Sequence, residues 1–280
     1  MRFSVIINCY NTLPIIKRCI DSVIQSTDFN TEILLVNNHP PYQDVETYLK
    51  RFIQPRVKVL DFGKNLSHIL GTQYAEKHAQ GKYLIRLDDD AVVPQNDWIY
   101  AMAEALDQYP DLAYVGLPHQ GWPLSGGNQV KTARATLQFT DVVLFTCVMF
   151  KRDVWRAHFI IPTQGIYGND DNYSSQVAKQ LGLKLAYLVS HPCVHLARTP
   201  ESDVLYGAWK LLYAHKTTTI DFPVWRKTVT QIHPREENIM RNFGYSARQI
   251  QEIKRLIRKN IHPTQIYSTN YNFVKNCTIR

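Results

Sequence analysis

Apolar runs and helical stripes alternate along the first ninety residues of this chain. Residues 3–9 are almost wholly apolar and are predicted to form a buried strand. From residue 12 to 26, Leu13, Ile16, Ile20, Val23 and Ile24 share one face of a helix, and Pro14 fits its first turn, where a missing N–H leaves no bond unmade. Residues 32–36 read as a second strand, closed by Asn37, Asn38, His39, Pro40 and Pro41, and residues 57–60 as a third. A helix is predicted over 67–80 with Gly81 at its C-cap, followed by a fourth strand that runs into Asp88, Asp89 and Asp90 ahead of Pro94. Four alternations of strand and helix predict an α/β fold, a mostly parallel Rossmann-like sheet flanked by helices.

The pattern thins after this point. Residues 117–128, with Gly121, Trp122, Pro123, Gly126 and Gly127, read as a loop; residues 173–181 read as a helix opened by Asp170 and Asp171; and residues 184–189 read as a strand leading to His191 and His195. Ser246 and Gln249 resemble a capping box, after which Ile250, Ile253, Leu256 and Ile257 form one helical face and Arg248, Lys254, Arg255, Arg258 and Lys259 crowd the rest. That basic helix fits three roles: docking with a solvated face, contact with an anionic membrane, and contact with a phosphate backbone.

In open α/β sheets ligands sit beyond the carboxyl ends of the strands. Three polar clusters fall on that rim: Asn8 to Asn11, Asn37 with Asn38, and the Asp triplet. In an extended segment Asp88 and Asp90 project to one side and Asp89 elsewhere, so the outer two are placed to share a hard cation. The competing reading is an acidic turn that caps a helix. Three carboxylates at one strand end repel each other unless a cation offsets them.

The 280 residues are 45% hydrophobic and 20% charged, an ordinary balance for a globular protein. The net charge of +8 points to an anionic partner. Five scattered cysteines without metal-finger spacing suggest a reducing compartment, and no run reaches membrane-spanning length. A cytoplasmic protein is expected, with peripheral contact at the inner face of the membrane through the basic helix.

The strand Val5 to Asn11, the strand ending at Asn37 and Asn38, the helical unit from Asn65 to Gly81, and Leu87 to Asp90 with Pro94 resemble the nucleotide-binding half of a family 2 glycosyltransferase of the GT-A fold. Phe145 to Arg152 resembles the strand before that family's acceptor region, and Gly168 to Asn172 its acidic pair motif. The resemblance spans roughly residues 3–196. It implies a GT-A domain over 1–200, with a nucleotide-binding half at 1–95 and an acceptor half at 96–200, followed by a helical basic extension over 201–280. Asp88 and Asp90 would then be the DxD pair holding Mn2+ or Mg2+ on the donor diphosphate, with His195 as third ligand and His191 as second candidate. The donor would be bound by Cys9, Tyr10, Asn11, Asn37, Asn65, Arg86 and Asp89. Asp171, beside Asp170, would be the catalytic base, and Trp122 would offer a flat face to the acceptor.

Two departures from the family pattern stand out: Asn37 where many relatives carry Asp, and Asp170 where Glu is usual. The implied activity is inverting, metal-dependent transfer from a nucleotide-sugar, UDP-sugar favoured, to a saccharide or lipid-linked glycan. The alternatives are the same chemistry on a hydroxymethylated base in DNA, and a non-catalytic domain that binds nucleotide-sugar or glycan.

Overall fold

The computed structural model describes residues 2–40, 43–64, 66–122, 124, 126–161 and 170–196, together with 246–248, 251 and 255. The first half follows the apolar pattern closely: β1 (Phe3–Cys9), α1 (Leu13–Ser26), β2 (Thr31–Asn37), α2 (Gln43–Arg51), β3 (Val57–Asp61), α3 (Ser67–Glu76) and β4 (Tyr83–Leu87). After β4 come β5 (Ala91–Val92), α4 (Trp98–Gln108), β6 (Leu112–Gly116), β7 (Gln129–Lys131), β8 (Thr136–Thr140), β9 (Cys147–Lys151), α5 (Arg152–His158), α6 (Asp170–Gln180), β10 (Lys184–Leu188) and β11 (Val194–His195).

Nine strands form one sheet in the order β3-β2-β1-β4-β9-β6-β10-β8-β7, while β11 and β5 make a separate two-stranded ladder. The strands β3, β2, β1 and β4 run parallel, as the βαβ pattern requires. Strand β9 then inserts antiparallel between β4 and β6, and β10 returns parallel to β6. Both faces of the sheet are covered. Phe3, Val5, Ile7 and Cys9 of β1 pack with residues of α1, α2 and α4, whereas Ile6 belongs to the opposite core with residues of α3, α5 and α6. This two-sided burial explains why β1 and β2 read as continuous apolar runs.

Two local differences from the sequence reading have steric causes. Helix α3 ends at Glu76 instead of Gln80, and Gly81 does not serve as its cap. A Cβ on Gly81 would lie 2.6 Å from the backbone of Phe3 and Ser4, so glycine is needed there for the close crossing onto β1. Inside α3, a Cβ on Gly71 would lie 2.0 Å from Asn8 Oδ1, so this helix also needs a glycine to approach the end of β1.

The chain divides into two compact units, the first comprising Met1–Gln164 with Asn169–Ala197 and the second Gly165–Gly168 with Arg198–Arg280. In the second unit Ala247, Arg248, Gln251 and Arg255 are helical. The remainder of the basic helix expected there lies outside the described residues. No described helix is long and apolar enough to cross a membrane.

Candidate active site

The Asp triplet occupies a tight turn between β4 and β5. The Asp88 N–H donates to the Thr146 carbonyl at 2.8 Å, and the Ala91 N–H closes the turn onto the Asp88 carbonyl at 3.1 Å. The turn sends its carboxylates in different directions. Asp89 reaches back under the loop after β1, where its Oδ2 accepts the Tyr10 and Asn11 N–H groups at 2.6 and 2.7 Å.

Asp88 and Asp90 instead meet His195. The ladder of β11 on β5 pairs His195 with Ala91, and the Leu196 N–H donates to the Asp90 carbonyl at 2.7 Å. His195 Nε2 thereby comes within 3.2 Å of Asp90 Oδ1. One ligand atom each from Asp88, Asp90 and His195 lies within 4.8 Å of the others. An octahedral ion with bonds of about 2.1 Å spreads its ligands over a similar span, and two carboxylates with an imidazole suit Mn2+ or Mg2+. The electrostatics agree with that fit. Burial pushes the Asp88 carboxyl above its ordinary range against the pull of Arg86, with the charge of Asp90 adding to the rise. Asp89 is pushed up to about 7 by burial and by Asp90, against the pull of its two backbone N–H donors. Such a cluster is relieved by a cation.

The second acidic pair begins α6, with Asp170 and Asp171 in its first turn, where the helix dipole favours negative charge. Asp170 is buried, and its Oδ2 lies 2.8 Å from Arg86 Nη1 and 3.3 Å from His68 Nε2. Burial alone would raise the Asp170 carboxyl, but Arg86 and His68 outweigh it and hold the group well below the usual carboxylate range. Its neighbour behaves in the opposite way. Asp171 accepts the Asn172 N–H at 2.7 Å and is raised by burial and by the charge of Asp170.

Arg86 joins the two acidic groups. Its side chain is only 7% exposed, with Nη2 on Asp88 Oδ1 at 2.9 Å and Nη1 on Asp170. Both terminal nitrogens thus meet carboxylates. Cys9 stands at the carboxyl end of β1. It occupies an inward position of β1, is fully buried and turns its thiol to the Ile7 carbonyl. Only its main chain borders the rim.

Asn37 ends β2 with its amide engaged on both sides, donating to Asp61 Oδ2 at 3.0 Å and accepting the His39 N–H at 3.2 Å. Asn65 lies outside the described residues. His191 packs away from the metal group, with Nε2 3.4 Å from Asp97 Oδ1 and Nδ1 2.9 Å from Ser190 Oγ. Trp122 is 54% exposed and meets the His119 ring edge-on at 5.2 Å.

His68, Asp61, His119 and Thr146 were not singled out by sequence reasoning. His119 lies in the loop read over residues 117–128, and its ring is held neutral, pushed down to about 4 by burial and by His195. His68 opens a helix whose apolar stripe gives no hint of a salt bridge to a residue far along the chain.

This architecture is shared with solved glycosyltransferases at identities that speak to fold alone. The mannosyltransferase PcManGT from Pyrobaculum calidifontis, solved with GDP-Man and Mn2+, superposes with a TM-score of 0.59 at 14% identity, covering 99% of this chain and 85% of that one. GalNAc-T7 with UDP, GalNAc and Mn2+ gives 0.57 at 16% identity over 81% of this chain and 47% of that one. The 1–349 fragment of S. aureus TarS with UDP-GlcNAc gives 0.53 at 14% identity over 99% and 89%. In sequence, the chain is 28% identical over 98 residues to the uncharacterized glycosyltransferase YkcC of Bacillus subtilis (strain 168), a match covering 34% of this chain and 30% of that relative. The model of the family described as glycosyl transferase family 2 matches residues 4–163, more than half of the chain. This chain therefore belongs to glycosyl transferase family 2 and has the GT-A fold.

Proposed function

We propose that this protein is an inverting, metal-dependent glycosyltransferase that moves a sugar from a nucleotide-sugar to a hydroxyl of a saccharide or lipid-linked glycan. The observation that carries this reading is the convergence of Asp88, Asp90 and His195 at the end of β4, joined through Arg86 to the acidic start of α6. Mn2+ or Mg2+ held by these three residues would act as a Lewis acid on the donor diphosphate, offsetting the charge that builds as it leaves.

The remaining steps fall to the protein's own groups. Asp89 fixes the Tyr10–Asn11 loop, which forms one wall of the donor site beside Asn37. A UDP-sugar is the favoured donor, in keeping with the UDP carried by two of the three structural neighbours. Asp171 takes the proton of the acceptor hydroxyl while that oxygen attacks the anomeric carbon. The bond from that carbon to the diphosphate oxygen breaks on the opposite side, so nucleoside diphosphate leaves with the bonding pair and configuration inverts. Asp170, already neutralised by Arg86 and His68, anchors the start of α6 and leaves Asp171 as the carboxylate for proton transfer. Trp122 presents an exposed ring to the acceptor sugar.

A thermal-shift screen against UDP-, GDP-, CDP- and dTDP-sugars, each with and without Mn2+, tests this reading. A metal-dependent rise in melting temperature with one nucleotide is expected. A flat response at saturating ligand in every combination would remove the donor site from the proposal and favour a non-catalytic domain.

A further inference from the structure

We propose that His119, gripped by Thr146, is a positioning residue that sets the plane of the metal ligand His195. The proposal rests on the metal reading above and concerns how its third ligand is held. His195 sits on a strand of two residues, and such a short ladder fixes its backbone far better than the rotation of its ring. A flexible imidazole must lose rotamer freedom each time it binds a metal.

The structure supplies a device that removes this freedom beforehand. The imidazoles of His119 and His195 lie face to face, with centroids 4.7 Å apart and planes 19° from parallel. The backbone makes that stack possible. The loop after β6 runs beside residue 193 as a parallel bridge between His119 and Cys193. The Cys193 N–H donates to the Pro118 carbonyl at 2.8 Å, and the Gln120 N–H to the Cys193 carbonyl at 2.8 Å. His119 is therefore set diagonally across from His195, within reach of a ring-on-ring contact.

A stacking partner orients a ligand only if it is itself fixed, and two contacts fix His119. Its Nε2 is 2.8 Å from Thr146 Oγ1, and its ring meets Trp122 edge-on. Thr146 is buried, and its carbonyl is the same group that accepts the Asp88 N–H. One residue at the entrance of β9 thus holds the turn that carries the two carboxylates and, through its hydroxyl, the ring that lies on the imidazole. The separation of the three ligands is set from a single point.

The test is direct Mn2+ binding to the full chain, followed by the electron paramagnetic resonance signal of free Mn2+. Groups that orient metal ligands without touching the metal typically change affinity by about 10- to 100-fold. H119A and T146V should therefore weaken Mn2+ binding by about tenfold, and T146S, which keeps the hydroxyl, should restore it to within about twofold of wild type. The melting temperature in chelator should stay close to wild type in the Thr146 variants, while the rise produced by Mn2+ shrinks in T146V alone. If H119A folds poorly, the T146V and T146S pair carries the test. Wild-type Mn2+ affinity in T146V, alongside weakened affinity in H195A, would overturn the positioning role and leave the metal site standing. Wild-type affinity in H195A would remove His195 from the metal site, and this proposal with it.

Discussion

The acidic turn after β4 and the acidic start of α6 meet the same problem with different means. Each gathers adjacent carboxylates, and each commits one of them to holding the protein together: Asp89 to the Tyr10 and Asn11 N–H groups, and Asp170 to Arg86 and His68. The partners differ in charge, and the consequences follow from that. Two neutral N–H donors do not offset the burial of Asp89 beside Asp90, so its carboxyl rises to about 7. A guanidinium and an imidazole more than offset the burial of Asp170, so its carboxyl falls. The turn holds three carboxylates, of which Arg86 reaches only Asp88, so it keeps an excess of negative charge and is suited to a cation. The helix start is neutralised internally, which leaves Asp171 raised and suited to accept a proton.

If the two sites divide the work in this way, the largest effect belongs to Asp171. D171N should lower turnover by about 10²- to 10⁴-fold, the usual contribution of a general base, while donor binding measured calorimetrically stays near wild type. Turnover within a few-fold of wild type would place the base elsewhere. D170A should act on stability instead, because it removes one of the two carboxylates that the buried Arg86 side chain meets. Loss of one partner from a buried ion pair typically costs about 3–5 kcal/mol, readable by urea denaturation. A loss under about 1 kcal/mol would mean that Arg86 finds compensation from another group.

The pH dependence of turnover sharpens the comparison by a smaller amount. Asp171 must be ionised to take a proton, and its carboxyl is raised in the folded protein. The acid limb of the rate profile should therefore fall off at a midpoint above the ordinary carboxylate value of about 4. A midpoint at or below that value would argue that Asp171 is not the group being titrated.

The sequence carried the first half of the fold because β1, β2 and β4 are buried on both faces and leave mostly apolar runs. Strand direction leaves no such trace, so nothing in residues 147–151 announces that β9 inserts antiparallel between β4 and β6. The site divides along the same line. Alternation along an extended segment led to the expectation that Asp89 parts from Asp88 and Asp90, and the structure reaches that separation by a tight turn over residues 88–91 instead. The meeting of His195 with Asp90 depends on a ladder of two residues on each side, too short to produce periodicity. The Arg86–Asp170–His68 contacts join β4, α6 and α3, and composition cannot indicate which buried carboxylate a distant cation will find. Cys9 shows a limit of position alone: it ends β1 at the rim, but the alternation of β1 turns its thiol inward.

The smallest expected effect isolates Asp89. Its raised carboxyl is protonated more readily in the folded chain than in the unfolded chain. In chelator, ionising it therefore lowers the stability of wild type as pH rises from about 4, its ordinary value, towards about 7. D89N keeps a carbonyl oxygen that can accept the Tyr10 and Asn11 N–H groups but carries no charge to ionise. Relative to wild type, the melting temperature of D89N should climb across that pH range and level off above it, the reverse of the trend for a carboxylate held by cations. Asp170 is such a carboxylate, so D170N relative to wild type should lose stability as pH rises through the ordinary carboxylate range. Parallel trends in D89N and D170N would mean that the two acidic groups are balanced alike. The contrast between a turn that needs a cation and a helix start that does not would then fail.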